Sequence, residues 1–435
     1  MLARLARALW GNLTGDEIKR FGMLSMTFLF IIGTYWLMRP LKDALFMKIV
    51  GAKYIPTAKI ASVIFIIPLV MMYAKLVDMV SKQNLFYVIC GVYAVLFCGI
   101  AYALTDPSMG LANTITSPYR ILGWTIYLGI ESFGSIVVSM FWSFVNSTTD
   151  QASAKRGYAL IVAGAQIGSI AGPTLATNAT AIGMPGLASI VCVGIVMIMA
   201  MVYLFGKSYP SAVAEAPATK DKKKATGPVE GLRLLASKPY LLGILCVSTI
   251  YEVVGTILDY QMKVIADGSF TSAEKVTEFL GQFGQAANGL ALVFAFIGTS
   301  FFIRRFGLTF CLVMFPISVG LVVCYTMIFP SLWGLFGAMV AIKGLSYALN
   351  NPCKEIMWIP TSKDVKYKAK SWIDSFGGRT AKAGGSVVNG MFPVMADLML
   401  YGSLISLGIV GVWAAVAFYV GRANEQLTNN NEIVQ

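Results

Sequence analysis

The stretch FGMLSMTFLFIIGTYWLM, Phe21 to Met38, runs eighteen residues without a charge and stops at Arg39, Pro40, Leu41, Lys42 and Asp43. About 30 Å of hydrocarbon takes about 20 largely apolar residues of helix to cross, so this stretch reads as a membrane span. The same measure, with Gly, Pro and charge clusters as cuts, finds eleven more. They are Ile55 to Val77, Leu85 to Leu104, Ile121 to Val145, Tyr158 to Thr177, Leu187 to Phe205, Tyr240 to Met262, Phe279 to Ile303, Leu308 to Phe329, Leu332 to Leu349, Gly377 to Leu400 and Ile405 to Val420. Twelve spans predict an all-α membrane protein, with the lipid bilayer as its solvent.

Composition agrees with that reading. The 435 residues are 57% hydrophobic and 13% charged, with a mean hydropathy of +0.71, a balance that no soluble core needs. The net charge is +13, yet Lys and Arg lie in short loops between apolar runs rather than in a patch interleaved with aromatics. Nucleic acid is therefore not an expected partner. Histidine is absent, which removes the usual general base and the commonest zinc ligand. Cys90, Cys98, Cys192, Cys246, Cys311 and Cys324 fall inside apolar runs and Cys353 beside polar residues, in no disulfide or metal spacing. Neither an enzyme nor a metal or cofactor site is expected.

Residues 1–20 carry Arg4, Arg7, Lys19 and Arg20 around a short apolar patch without a cleavage-site pattern, and read as a cytoplasmic amphipathic lead. Residues 206–237 form the longest polar stretch, with Pro210, Pro217, Pro228 and the cluster Lys220 to Lys224. That composition predicts a flexible linker between a half of six spans, 21–205, and a second half, 238–421, with 422–435 as a tail. Two six-helix halves suggest a major-facilitator-like carrier with a central path; a twelve-helix membrane enzyme or scaffold is the alternative at this point.

Ionisable residues within spans are costly and mark function. Lys42 closes the first span, Glu131 lies within the fourth, Asp259 near the end of the seventh, and Lys354 just after the tenth. In a major-facilitator arrangement the first and fourth helices of each half line the path, which the architecture implies and the residues do not show. Glu252 and Asp259 are seven residues apart and project from one helix face. Lys343 and Lys354, eleven apart, share a face only if the helix continues through Asn350, Asn351 and Pro352. Those three residues read as an interruption, itself a feature of binding sites beside a cavity. Lys42 and Lys263 can also snorkel to the interface, and Lys59 and Lys75 read as anchors. Gly164, Gly168 and Gly172 recur every fourth residue, which fits close helix packing and no phosphate loop.

These residues carry a resemblance. Arg39 to Asp43, then Gly51 to Pro56 and Lys59, resembles the first-span region of the nucleotide transporter family, the ATP/ADP translocases of plastids and intracellular bacteria. Glu131 to Ser135 is similar to that family's acidic fourth-span block, and Tyr251 to Lys263 to its seventh-span block. Pro352 to Glu355, Ile359, Pro360, Lys366, Lys368, Lys370, Ile373, Asp374 and Lys382 to Gly385 resemble its most distinctive block. The resemblance implies a carrier for ATP, ADP or another nucleotide, with the substrate-binding charges on Lys42, Glu131, Asp259 and Lys354. Glu252, Lys343 and Lys59 are possible additional ligands. The family pattern has Glu at Asp259, a small residue at Glu252 and Trp at Met262. A member in a bacterial inner membrane is implied, either exchanging nucleotides or importing them with protons, and a monomer is expected; a carrier for another anionic metabolite is the alternative. Nucleotide would be cargo, with Lys42 and Lys354 offsetting phosphate charge that hydrocarbon does not tolerate bare.

Orientation follows from the loops. With the N-terminus inside, twenty-two Lys and Arg flank the cytoplasmic side and seven the other, four of the seven being Arg39, Lys42, Lys48 and Lys53. Reporters fused after Gln435 and within 206–237 are expected to report the cytoplasm; an external signal from either overturns the span count.

Overall fold

The computed structural model describes residues 14–149, 151–210, 228–297 and 300–434. The chain is almost entirely helical, with one isolated parallel bridge, Thr361 to Val434, among the described residues. Ten of the described helical stretches are long and apolar enough to cross a membrane. The two expected spans outside that set are the eighth and the eleventh. The eighth is covered by Ala273–Ile297 and Ser300–Phe306, and 298–299 lie outside the described residues. The eleventh falls at the end of a helical run formed by Lys363–Trp372, a π turn, Ile373–Gly377, and Gly378–Met391; it stops before Pro393, which disfavours helical geometry at the residue before it.

The chain forms two compact units. The first comprises 1–54, 64–221 and 270–288, and is framed by α1 (Gly15–Ile49), α3 (Lys82–Thr105), α4 (Ile121–Thr148), α5 (Gln151–Ala176) and α6 (Met184–Ser208). Helix α2 (Ile55–Met79) precedes α3. Helix α1 begins at a capping box: the Glu17 N–H donates to Thr14 Oγ1 at 3.2 Å, and the Thr14 N–H to Glu17 Oε2 at 2.9 Å. It runs straight through Pro40 and ends before Gly51, whose φ of +117° suits glycine. The expectation that Lys42 closes the first span is therefore corrected: Lys42 lies more than a turn inside a 35-residue helix. Membrane helices tolerate an internal proline because neighbouring groups satisfy the freed carbonyl.

Helix α1 packs along α5, α4 and α6. The α5 contact is set by glycine: a Cβ on Gly168 would stand 2.5 Å from the Leu29 carbonyl oxygen, and Gly164 and Gly172 press equally closely on the Ser25 and Gly33 carbonyls. The Ser25 hydroxyl donates to the Leu160 carbonyl at 2.8 Å across the same seam. The four-residue glycine spacing is thus a helix-packing face. Between α3 and α4 the Arg120 guanidinium donates to the Met109, Gly110, Asn113 and Ile115 carbonyls at 2.6 to 3.2 Å. The Ser108 hydroxyl and the Ser108 and Met109 N–H groups hold the Asp106 carboxyl below its ordinary value. Arg120 orders that loop, beyond its part in the charge asymmetry.

The second unit comprises 55–63, 222–269 and 289–435. Its main described helices are α7 (Pro228–Ser237), α8 (Pro239–Ser269), α10 (Leu308–Ile328), α11 (Leu332–Leu345), α12 (Asn351–Ile356), α13 (Lys363–Trp372), α14 (Gly378–Met391) and α15 (Ser403–Asn429), with α9 (Ala273–Ile297) crossing from the first unit's residues into this one's. Helix α8 packs on α14 and α15, α10 on α15, and α7 on α13. Two boundaries differ from the sequence reading. The expected linker 206–237 is helical at both described ends, through Ser208 and from Pro228; its centre, 211–227, lies outside the described residues. The expected tail, from 422, is helical to Asn429, and the Val434 N–H then donates to the Pro360 carbonyl at 2.9 Å, while the Ser362 N–H donates back to Val434 at 3.0 Å.

The glycine seam gives a direct test. Gly168→Ala is expected to lower stability in detergent by about 1 to 3 kcal/mol, the cost of overpacking. Gly268→Ala, where nothing lies within 4 Å of the added carbon, is expected to stay within about 0.5 kcal/mol of the parent. Equal thermal denaturation of the two variants overturns the packing role.

Candidate functional site

In the first unit, α1 carries Lys42 and α4 carries Glu131. The Lys42 ammonium donates to a Glu131 oxygen, sits 3.7 Å from the Asp43 carboxylate, and lies 4.5 Å from the centre of the Tyr127 ring. The Lys42 side chain is 6% exposed and that of Glu131 30%. Local sequence explains the approach. Gly134, one turn after Glu131, lets the Tyr35 ring of α1 lie against the α4 backbone, since a Cβ there would meet that ring. Ser132, on the other side of α4, accepts a hydrogen bond from the Tyr93 hydroxyl of α3 at 2.8 Å. Helix α4 is thus pinned on two sides, with its carboxylate turned to α1. Lys42 does not snorkel; it is a buried cation met by two acids and an aromatic face.

In the second unit, α8 carries a stripe of Ser248, Glu252, Asp259 and Lys263 at spacings of four, seven and four, which is one helix face. Asp259 Oδ2 accepts from Lys59 at 3.1 Å and from Lys263 at 2.7 Å. Lys263, read as a snorkelling residue, is corrected here: its side chain is 7% exposed and bound to the carboxylate one turn earlier. Lys59, read as an anchor, is likewise an Asp259 partner. Lys75 is exposed.

Further along the stripe, the Lys382 ammonium of α14 lies 3.5 Å from Glu252 Oε2, and Lys354 of α12 donates to the Ser248 carbonyl at 2.9 Å. The Lys343 ammonium of α11 lies 5.7 Å from the centre of the Tyr251 ring. Helix α14 reaches Glu252 because a Cβ on Gly385 would stand 2.6 Å from the Val253 carbonyl, and the Asn389 amide donates to the Thr256 carbonyl at 3.2 Å. Lys382 is one turn before Gly385 on that face.

The interruption expected at Asn350 to Pro352 is not a break. A π turn, Ser346–Asn350, joins α11 to α12 without unwinding. Such a turn accommodates one extra residue, so Lys343 and Lys354 stand about 80° apart instead of sharing a face. They consequently approach α8 at different points.

Lys42 and Glu131 are therefore brought together within one unit, and Asp259 and Glu252 lie along one face of α8 in the other, which Lys354 of α12 meets at Ser248 and Lys59 meets at Asp259; Lys343 lies against Tyr251. Sequence reading missed Lys382 as a site residue, and Asp43 and Tyr127 as Lys42 neighbours. The spacing of four between Asp259 and Lys263 was a usable signal for that pair; Tyr127, four before Glu131, was another. Among the described residues no cluster of three His, Cys, Asp or Glu side chains is placed to hold a metal. What the arrangement offers chemically is a set of ammonium groups in apolar helices, each held by a partner that an incoming anion can replace.

A family model described as TLC ATP/ADP transporter matches residues 2–423. The chain is 26% identical to the chloroplastic ADP,ATP carrier protein 2 of Arabidopsis thaliana over 92% of its own length and 74% of that protein. It is 26% identical to ADP,ATP carrier protein 1 of Chlamydia pneumoniae over 95% of its length and 93% of that one. Among solved structures, a bacterial homologue of the iron transporter ferroportin in an inward-facing state superposes with a TM-score of 0.62 at 14% identity, covering 94% of this chain and 100% of the other. That likeness is one of fold alone.

Removing one partner of a buried pair leaves an uncompensated charge. Lys42→Met is expected to cost about 3 kcal/mol, the low end for a buried pair because Glu131 keeps some solvent contact. Lys42→Met with Glu131→Gln is expected to recover most of it. Chemical denaturation of the two variants measures the difference; additive losses overturn the pairing.

Proposed function

The chain belongs to the TLC ATP/ADP transporter family, and from that membership we propose that it carries nucleotides, ATP and ADP foremost, across a bacterial inner membrane by alternating access. The observation that carries the reading is a set of lysines paired with acids on the helices, Lys42, Lys59 and Lys263 largely buried and Lys382 half-exposed. Lys42 is held by Glu131, Lys59 and Lys263 by Asp259, and Lys382 by Glu252. Ammonium groups at membrane depth cost several kcal/mol, which a polyphosphate offsets when it replaces the resident carboxylates. Lys42, Glu131, Asp259 and Lys354 are the primary binding charges, with Lys59, Lys343 and Glu252 as further contacts. Nucleotide is cargo and the protein is not an enzyme.

The finer architecture belongs to the same proposal: twelve helices in two halves, 21–205 and 238–421, both termini cytoplasmic, in a monomer. The two helices that complete twelve are α9 and α14, whose polar residues, Gln282, Gln285, Arg379 and Lys382 among them, keep them from reading as lipid-facing spans. The carboxylates also offer a coupling route. A carboxyl group that takes up a proton when its lysine turns to a phosphate carries that proton with the cargo.

Reconstituted vesicles test the function and its coupling together. Nucleotide counterflow is expected with a panel of nucleotides and not with other phosphorylated metabolites; the opposite preference overturns the reading. Asp259→Asn and Glu131→Gln are expected to lose accumulation driven by a pH gradient while retaining nucleotide-for-nucleotide exchange, with Glu252→Gln milder. Exchange of equally charged cargo needs no proton, and an amide cannot take one up. Full gradient-driven accumulation by both variants leaves these acids as lysine partners in a pure exchanger.

A further inference from the structure

One turn of α8, Ser248 to Glu252, receives three lysines from three different helices. Lys354 of α12 binds the Ser248 carbonyl, Lys382 of α14 faces the Glu252 carboxylate, and Lys343 of α11 lies against the intervening Tyr251. Ser248 and Tyr251 lie one turn and one residue before Glu252, so all three ammonium groups converge on the same stretch of α8. The Glu252–Lys382 contact is loose at 3.5 Å, whereas Lys370 and Glu355 nearby close to 2.6 Å. Lys382 keeps 54% of its side-chain surface and Glu252 keeps 28%, so an anion from solution reaches both. A carboxylate among three ammonium groups has the charge and the acceptor oxygens of a single phosphate oxygen pair, but it is tied to the helix.

We propose that Glu252 is a tethered stand-in for one phosphate group and thereby sets which phosphate count the site prefers. This rests on the nucleotide-carrier reading above. With its own negative charge resident among Lys343, Lys354 and Lys382, the site repels each further negative charge on the cargo. The repulsion grows with the number of phosphates, so Glu252 favours the less charged member of any series. A purely structural ion pair has no such dependence: its removal alters every anion alike or none.

The test measures binding of orthophosphate, pyrophosphate, tripolyphosphate, AMP, ADP and ATP to the purified full-length carrier by competition. Glu252→Gln keeps the shape of the side chain and removes the charge. It is expected to raise the ratio of tripolyphosphate to orthophosphate affinity by at least about tenfold, a modest share of what one unit charge exerts on another at contact distance. Lys382→Gln, at a half-exposed position, is expected to move the ratio the other way, and the double variant to return toward the parent. An unchanged ratio in Glu252→Gln, or the same direction of change in both single variants, overturns the proposal. If ATP binds no better than tripolyphosphate, the nucleotide reading falls while the ratio still judges Glu252. If no anion binds the parent or either variant, both readings fall.

Discussion

A charge placed in hydrocarbon must be met before it arrives there, and the fold is organised around that requirement. Lys42 is 6% exposed and answered by Glu131 and Asp43; Lys263 is 7% exposed and answered by Asp259. A buried pair of this kind contributes little net stability, since desolvation consumes most of the attraction. What it does supply is position. The partner of Lys42 comes from α4, so the pair exists only when α1 and α4 are in register, and the glycine face of α5 brings α1 close enough to hold that register. A competing anion that takes the carboxylate's place keeps the ammonium compensated, and the displaced Glu131, 30% exposed, still has solvent to turn to.

The second unit meets the same requirement along one face of α8, which Lys59 of α2 and Lys382 of α14 approach from other helices. Asp259 shares one oxygen between Lys59 and Lys263, and Glu252 stands opposite Lys382. The close approach at Gly385 is a condition for the latter contact, because a side chain there would collide with the Val253 carbonyl and push α14 outward. Packing glycines and ionic contacts are thus not separate features: the first set the distances at which the second become possible.

Much of this was legible in the sequence, because the cost of charge in a bilayer filters out nearly every ionisable residue without a purpose. Lys42, Glu131, Asp259, Glu252 and Lys354 stand out on that ground alone, and the glycine repeat in α5 follows from its spacing. Helix ends were less legible. Pro40 and the basic group around it look like a boundary, yet the helix continues to Ile49 because a proline in a packed membrane helix removes one hydrogen bond without removing its neighbours' contacts. Lys263 and Lys59 read as interfacial because hydropathy places a residue along the membrane normal but does not show what lies beside it. Lys382 escaped for the same reason: its partner is on another helix 130 positions earlier in the chain. The helical stretch from Pro228 was hidden by a composition rich in proline and lysine that reads as linker.

The π turn at Ser346–Asn350 has a consequence for how this chain is compared with others. It works as a one-residue insertion absorbed inside a helix without a loop to mark it. Everything from Asn351 onward is therefore out of phase with a count that treats the helix as regular from Leu332. Against a chain whose helix is regular there, an alignment that places the gap in the nearest loop rather than within the turn assigns the lysine at 354 to the wrong side of the helix, even where every neighbouring residue matches. The correct place for the gap is a property of backbone winding, and substitution scores carry no record of it.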